Sequence, residues 1–254
     1  MCACRNYALN MPSEPQVCIF DSPQELFRAA AEKFCSAGSQ AIRKSGRFTV
    51  ALSGGSTPRG LHQELVTRFA KKLPWDKVFF FWGDERHVPP DSSDSNYRMT
   101  NETLLSKLPI PRENIFRIPA ELPDAREAAR KYAETLEQFF HPKPNEFPRF
   151  DFALLGMGPD GHTASLFPGT AGLQEKDEFV IANWVEKLNT FRITFTYPVL
   201  DNAVFVMMLV SGDEKAEMVR RALKDPAANL PCQRVRPENG ELAWYIDKGA
   251  AVKL

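Results

Sequence analysis

The sequence predicts an α/β fold of three layers, with helices on both faces of a mostly parallel sheet. Short apolar runs of strand length alternate with longer stretches of helical periodicity. One run, Ala203 to Val210, is apolar throughout, as a central strand covered on both faces must be. The chain has 254 residues, 43 % hydrophobic and 25 % charged, enough to bury a large core. No composition break, repeat or low-complexity linker divides it. Residues 16–254 are therefore expected to form a single α/β domain, preceded by a polar, disordered leader over 1–15.

Val17 to Phe20 reads as the opening strand. Ser22-Pro23-Gln24-Glu25 gives an N-cap serine, a proline at the first helical position and a glutamate to close a capping box. The helix that follows carries Leu26, Phe27, Ala30 and Phe34 on one face and runs into the 38–46 region. Arg47 to Leu52 is the second strand, and Pro58 opens a helix striped by Leu61, Leu65 and Phe69. Val78 to Trp82 is the third strand, leading into a loop over Gly83 to Val88. Asn96 to Leu105 reads as a helix, Ile115 to Ile118 as a short strand, and Asp124 to Phe140 as an amphipathic helix. Asp151 to Leu155 is a buried strand, and Gly156 to Gly161 is a loop that neither helix nor strand could continue through. His162 to Phe167 reads as the first turns of a helix ended near Pro168. Val180 to Ala182 and Arg192 to Thr196 are further strands. Ser211-Gly212-Asp213 opens a helix through Leu223, and Glu241 to Ile246 is a late strand.

Lys+Arg and Asp+Glu balance at 32 each, so no global charge favours nucleic acid or an anionic membrane. Any attraction for an anion must be local. Five cysteines, an odd number without a Cys-x-x-Cys pair, argue against a disulfide framework or structural zinc. Cys2 and Cys4 lie in the leader; Cys18 and Cys35 lie in apolar surroundings typical of buried thiols. With no apolar run of membrane length and no signal-peptide pattern, the expected location is the cytoplasm.

The clearest binding signal is Leu52 to Pro58. A strand ends, Ser53, Gly54 and Gly55 allow close backbone approach, Ser56 and Thr57 offer hydroxyls, and a helix begins. Such an amino end presents unpaired N–H groups and a partial positive charge suited to phosphate. It lacks the Gly-Lys-Ser/Thr of a nucleoside-triphosphate loop. Three cations fall near strand ends: Arg86, Arg192, and Lys215 in the first turn of a helix, where it opposes the dipole. Each taken alone also reads as a solvated surface charge.

Of four histidines, His62 and His141 read as surface residues, and His87 as either functional or loop packing. His162 is best placed for acid–base work: at a helix amino end the imidazolium is disfavoured, leaving a neutral base near pH 7. Asp84 and Asp160, on neighbouring strand-end loops, are open to two readings, orienting a ligand or His162, or serving as Asx-turn residues. The loop also spells Gly156-x-Gly158-x-x-Gly161. A dinucleotide fingerprint needs an acidic residue after the next strand, however, and Asp177 and Glu178 precede it. Gly-x-Ser-x-Gly and metal-ligand clusters are absent. What remains is acid–base chemistry, without metal or cofactor, on a small phosphorylated molecule.

Leu52-Ser-Gly-Gly-Ser-Thr-Pro58, Trp82-Gly-Asp-Glu-Arg-His-Val-Pro89 with Ser95-Asn96, residues 155–168, and Arg192-Ile-Thr-Phe-Thr-Tyr-Pro-Val-Leu200 follow in order. In order and spacing these motifs resemble the 6-phosphogluconolactonases, of the sugar-phosphate superfamily that includes glucosamine-6-phosphate deaminase. The resemblance spans about residues 17–251. It implies a modified Rossmann-like fold without cofactor or metal. It also implies hydrolysis of 6-phospho-D-glucono-1,5-lactone, the second step of the oxidative pentose phosphate pathway. By motif, Ser53, Gly54, Gly55, Ser56 and Thr57 would hold the phosphate, with Arg192, Lys215 and Arg86 contacting it. His162 would assist water, and Asp84 aligns with the acidic base of the deaminases.

The deaminase branch is the alternative enzyme. It carries a glutamate five residues after its histidine, where this chain has Phe167, and Asp-Glu-Tyr where this chain has Asp84-Glu85-Arg86. A sugar-phosphate sensing module attached to DNA would need a binding head that the residues before Val17 are too few to form. The expected partner is a small phosphorylated sugar lactone, bound by a monomer or weak homo-oligomer.

Overall fold

The structure is a computed structural model and describes residues 15–254. The expected disordered leader, apart from Pro15, and Cys2 and Cys4 with it, lies outside the described residues. In chain order the elements are β1 (Gln16–Phe20), α1 (Pro23–Ser45), β2 (Phe48–Leu52), α2 (Ser56–Thr67), β3 (Val78–Trp82) and β4 (Asp84–Arg86). There follow α3 (Asn96–Thr103), β5 (Ile115–Phe116), α4 (Ala125–Phe140), β6 (Phe152–Leu155), β7 (Val180–Val185) and β8 (Thr190–Phe195). The chain closes with α5 (Tyr197–Asp201), β9 (Phe205–Val210), α6 (Ala216–Lys224), β10 (Glu241–Asp247) and α7 (Lys248–Ala251).

Seven strands form one sheet in the order β1-β10-β9-β6-β2-β3-β5, and every pairing in it is parallel. Its central strands β2, β6 and β9 are buried along their whole length, which helices on both faces explain. Strand alternation sorts the faces. Phe48 and Val50 point to the side of α1, where Phe34 meets Phe48 and Phe152 edge-on. Phe79 and Phe81 point the other way and meet Phe139 of α4.

Ser22 caps α1 as expected, accepting from the Glu25 amide, and Asp124 caps α4 in the same way by accepting from Arg126. Three segments differ from the expectation. Asp84 to Arg86, read as loop, is β4, and it joins β8 and β7 in a small antiparallel sheet. Arg192 therefore sits inside β8 and not at its start. His162 to Phe167 forms no helix; a single bridge between Thr163 and Leu166 closes a tight turn instead.

The two sheets join at Gly83, whose N–H donates to the Leu52 carbonyl at 2.9 Å while its own carbonyl accepts from Phe195 N at 2.8 Å. The Tyr132 hydroxyl fixes the end of β3 by accepting from Trp82 N at 2.9 Å. After β2 the chain continues to β3 on one side; after β6 it reaches β9 on the other. The gap between β2 and β6 is thus a topological switch point, the place where open α/β sheets bind ligands beyond their strand ends.

Candidate active site

A pocket of about 380 Å³ opens at that switch point. Its first wall is the turn after β2. Gly55 caps α2 with φ 102° and ψ 178°, and no side chain accepts from the first-turn amides. The helix begins at Ser56, so Pro58 is its third residue, not its first. A left-handed φ favours glycine at 55. A Cβ on Gly54 would lie 1.8 Å from Asn96 Oδ1, so α3 can approach the turn only because residue 54 has none. Ser53, Gly54, Gly55, Ser56 and Thr57 all line the pocket, with the uncapped amino end of a 12-residue helix among them.

Cations form the second wall. Arg86 and Arg192 stand directly opposite one another on the antiparallel strands β4 and β8. Like charges so paired repel. Burial, and then the Arg86 charge, pull the Arg192 guanidinium below its ordinary value. Arg86 is steadied by donating Nη1 to the Asp94 carbonyl at 2.6 Å. Lys215 enters from the short turn Asp213–Lys215 ahead of α6. These three and Lys187 face the pocket against one carboxylate, Asp84, so the local field favours an anion although the whole chain is neutral.

The third wall is the turn after β6. Burial lowers the His162 imidazole from its ordinary value, and the hydrogen bond and charge of Asp160 only partly oppose this. The helix end invoked from sequence is absent, so burial replaces the dipole as the reason the ring is neutral. His162 Nδ1 and Asp160 Oδ1 are 2.5 Å apart. An ionised carboxylate can only accept, so the neutral ring donates from Nδ1 and keeps its lone pair on Nε2. Burial pushes the Asp160 carboxyl up, but hydrogen bonds from Lys187 and His162 outweigh it and hold it at about 2. Phe167 stacks on the imidazole with centroids 4.0 Å apart and planes at 26°. A Cβ on Gly158 would lie 2.0 Å from His162 Nδ1, so glycine there makes room for the ring.

The turn competes successfully with a helix because its polar groups are already engaged. Thr163 Oγ1 donates to the Gly156 carbonyl at 2.9 Å, and Ser165 N donates to Thr194 Oγ1 at 3.1 Å. Ala164, in the pocket wall, adopts φ 46°, a strained value for a residue with a Cβ.

The two acids take different places. Asp84 lines the pocket, its carboxylate accepting from Ser165 Oγ at 2.6 Å and lying 3.4 Å from Asn96 Nδ2. Asp160 does not line the pocket and stands behind His162. Glu85, next to Asp84, is buried and accepts from Arg86 N, Ser95 Oγ, Asn96 N and Tyr97 N, which anchors α3 to β4.

Sequence reasoning missed Lys187, on the turn between β7 and β8, and Ser165 and Asn96 as holders of Asp84. Asn96 was within a motif; Lys187 had no signal, because its partner Asp160 is 27 residues away. His62 is a correction. It is fully buried, not a surface residue, with Nδ1 2.8 Å from Thr103 Oγ1. His87 bonds the Leu122 carbonyl at 2.7 Å and is loop packing, and His141 is exposed at the end of α4. A neighbouring cavity of about 640 Å³ is larger, but only Arg126 and Lys187 bring it positive charge, with Glu175 and Glu186 opposing them. Among the described residues no cluster of three or more His, Cys, Asp or Glu could hold a metal ion, and no helix is long and apolar enough to cross a membrane.

The model of the family described as glucosamine-6-phosphate isomerases/6-phosphogluconolactonase matches residues 21–244. A 6-phosphogluconolactonase of a Nostoc species is 44% identical over 216 residues, covering 84% of this chain and 88% of that protein. The chloroplastic 6-phosphogluconolactonase 3 of Arabidopsis thaliana is 38% identical over 231 residues, covering 88% and 68% respectively. The solved 6-phosphogluconolactonase of Trypanosoma brucei superposes with a TM-score of 0.85 at 30% identity, over 95% of this chain and 99% of that one. With uncapped amides, paired arginines and a half-buried imidazole around one pocket, and with these likenesses along nearly its whole length, the chain belongs to the glucosamine-6-phosphate isomerase/6-phosphogluconolactonase family.

Proposed function

We propose that this protein hydrolyses 6-phospho-D-glucono-1,5-lactone to 6-phospho-D-gluconate, the lactonase step of the oxidative pentose phosphate pathway. One observation carries the reading: the open amino end of α2 and the imidazole of His162, whose basicity burial lowers, border the same pocket of about 380 Å³. The phosphate is held by the amides and hydroxyls of residues 53–57, with Arg86, Arg192 and Lys215 supplying charge. Remote binding energy then fixes the lactone carbonyl beside His162.

His162 Nε2 takes a proton from water as the water oxygen bonds to C1. The charge that develops on the carbonyl oxygen is met by amides of the 156–161 loop. The bond from C1 to the ring oxygen breaks, the imidazolium returns its proton to that oxygen, and the new acid ionises in water. Phe167, in place of an acidic residue against the ring, favours the lactonase over the deaminase. Asp84 is held by Ser165 and Asn96 where it can orient substrate hydroxyls.

Residues 16–254 act as one catalytic unit, a monomer or weak homo-oligomer. A cytoplasmic location fits Cys35 and Cys232, two buried thiols that form no disulfide. A coupled assay with freshly generated lactone, corrected for spontaneous opening and run beside glucosamine 6-phosphate, tests the assignment. Hydrolysis of the lactone alone supports it; turnover of the amino sugar alone would replace it with the deaminase.

A further inference from the structure

We propose that Lys187 is a positioning residue for the base: it holds Asp160 from behind and so keeps the His162 imidazole neutral. The inference rests on the reading of His162 as the group that activates water.

Lys187 sits on the short turn Glu186–Leu188 between β7 and β8, followed by Asn189 in the left-handed region at φ 47°. From there its ammonium makes two contacts. It donates to Asp160 Oδ2, while the other oxygen of that carboxylate faces His162 Nδ1. It also lies 4.6 Å from the centroid of the Phe167 ring, and that ring stacks on the imidazole. Lys187, Asp160, His162 and Phe167 therefore form a closed cluster, assembled from the β6 turn and from a turn that belongs to the small sheet.

Charge explains what the cluster does. A carboxylate against an imidazole stabilises the imidazolium, which is the wrong form for a base. Asp160 nevertheless fixes the tautomer. An ammonium on the second oxygen offsets that charge while leaving the hydrogen bond in place. The other charges around the ring divide as follows: Asp84 on β4 favours the imidazolium, and Arg86, Arg192 and Lys215 line the pocket beyond it. Lys187 is the cation that reaches the imidazole through its own hydrogen-bonded partner.

The test is a pH titration of the His162 imidazole by NMR in the ligand-free protein, the signal assigned by its loss in His162→Gln. Lys187→Met should raise the pKa of His162 by about half to one unit, a factor of about 3–10 in neutral base below the limb. The acid limb of the kcat/KM profile for the lactone should shift upward in pH by the same amount. In an Asp160→Asn background the same Lys187→Met change should move the imidazole by less, because only the direct charge of Lys187 then acts on it. No shift on Lys187→Met, or an equal shift without Asp160, overturns the proposal. So does a raised KM with an unmoved limb, which would make Lys187 a direct substrate contact. The titration needs no turnover, so a protein inactive on the lactone would sink the functional reading and leave this result standing.

Discussion

The turn after β2 and the turn after β6 flank the same pocket, yet one brings it the open end of a helix and the other a titratable side chain. After β2 the chain runs straight into α2, and Gly54 and Gly55 strip away whatever would cover the helix end. After β6 no helix follows; the segment folds back on itself, strained at Ala164, and puts His162, Ser165 and Phe167 to use. Backbone amides suit the end of a ligand that stays unchanged, because their charge is fixed by geometry. A reacting group must gain and lose a proton, which only a side chain can do. Under the proposed function, the comparison teaches that the holding end can be rigid while the reacting end needs a tuned environment.

Breaking the reacting end should cost most. His162→Ala is expected to lower kcat by about 10²–10⁴-fold with little change in KM or unfolding midpoint. Steady-state kinetics with denaturant titration checks this, and a near wild-type kcat would remove His162 from the chemistry. Breaking the holding end should act on binding. Arg192→Ala removes a charge-assisted contact worth ~1.5–3 kcal/mol, so KM for the phosphorylated lactone should rise about 10–100-fold. An unphosphorylated lactone should be nearly unaffected; equal losses on both substrates would make Arg192 structural.

The contrast extends to two imidazoles, one buried and one half-buried. His62 is sealed between α2 and α3, and burial, with the charge of Arg59 adding to it, lowers it to about 3. The unfolded chain binds its proton near pH 6.5, so the folded protein holds fewer protons and loses stability as pH falls from there towards 3. Between pH 7 and pH 5 the loss reaches up to about 2 kcal/mol. His62→Leu should flatten that slope in urea titrations at the two pH values. His162 faces a pocket, so its depressed pKa is spent on activity and not on stability alone. The acid limb of kcat/KM should lie below the ordinary imidazole value of about 6.5, and a limb above it would contradict burial as the dominant influence.

Much of this was legible in the chain itself. The uniformly apolar β9, the capped starts of α1 and α4 and the glycine–hydroxyl turn after β2 each follow from local pattern, and local pattern prevailed there. Three things were not. Asp84-Glu85-Arg86 is too polar to read as a strand, and it is one because Arg86, Glu85 and Asp84 find partners on β8 that lie over a hundred residues on. His162 to Phe167 has helical spacing, but the hydrogen bond of Ser165 to Thr194 on β8, with that of Thr163 back to Gly156, outweighs it. His62 sits in a polar-looking stretch of α2, and only the approach of α3 buries it. In each case a contact remote in sequence overrode a local preference.

The face-to-face arginines on β4 and β8 have a thermodynamic corollary. Two arginines directly opposite one another on paired strands repel, and under the proposed function a dianion bound beside them relieves that repulsion. Free orthophosphate would then both toughen the protein against heat and compete with the sugar ester, by mass action on one and the same cradle.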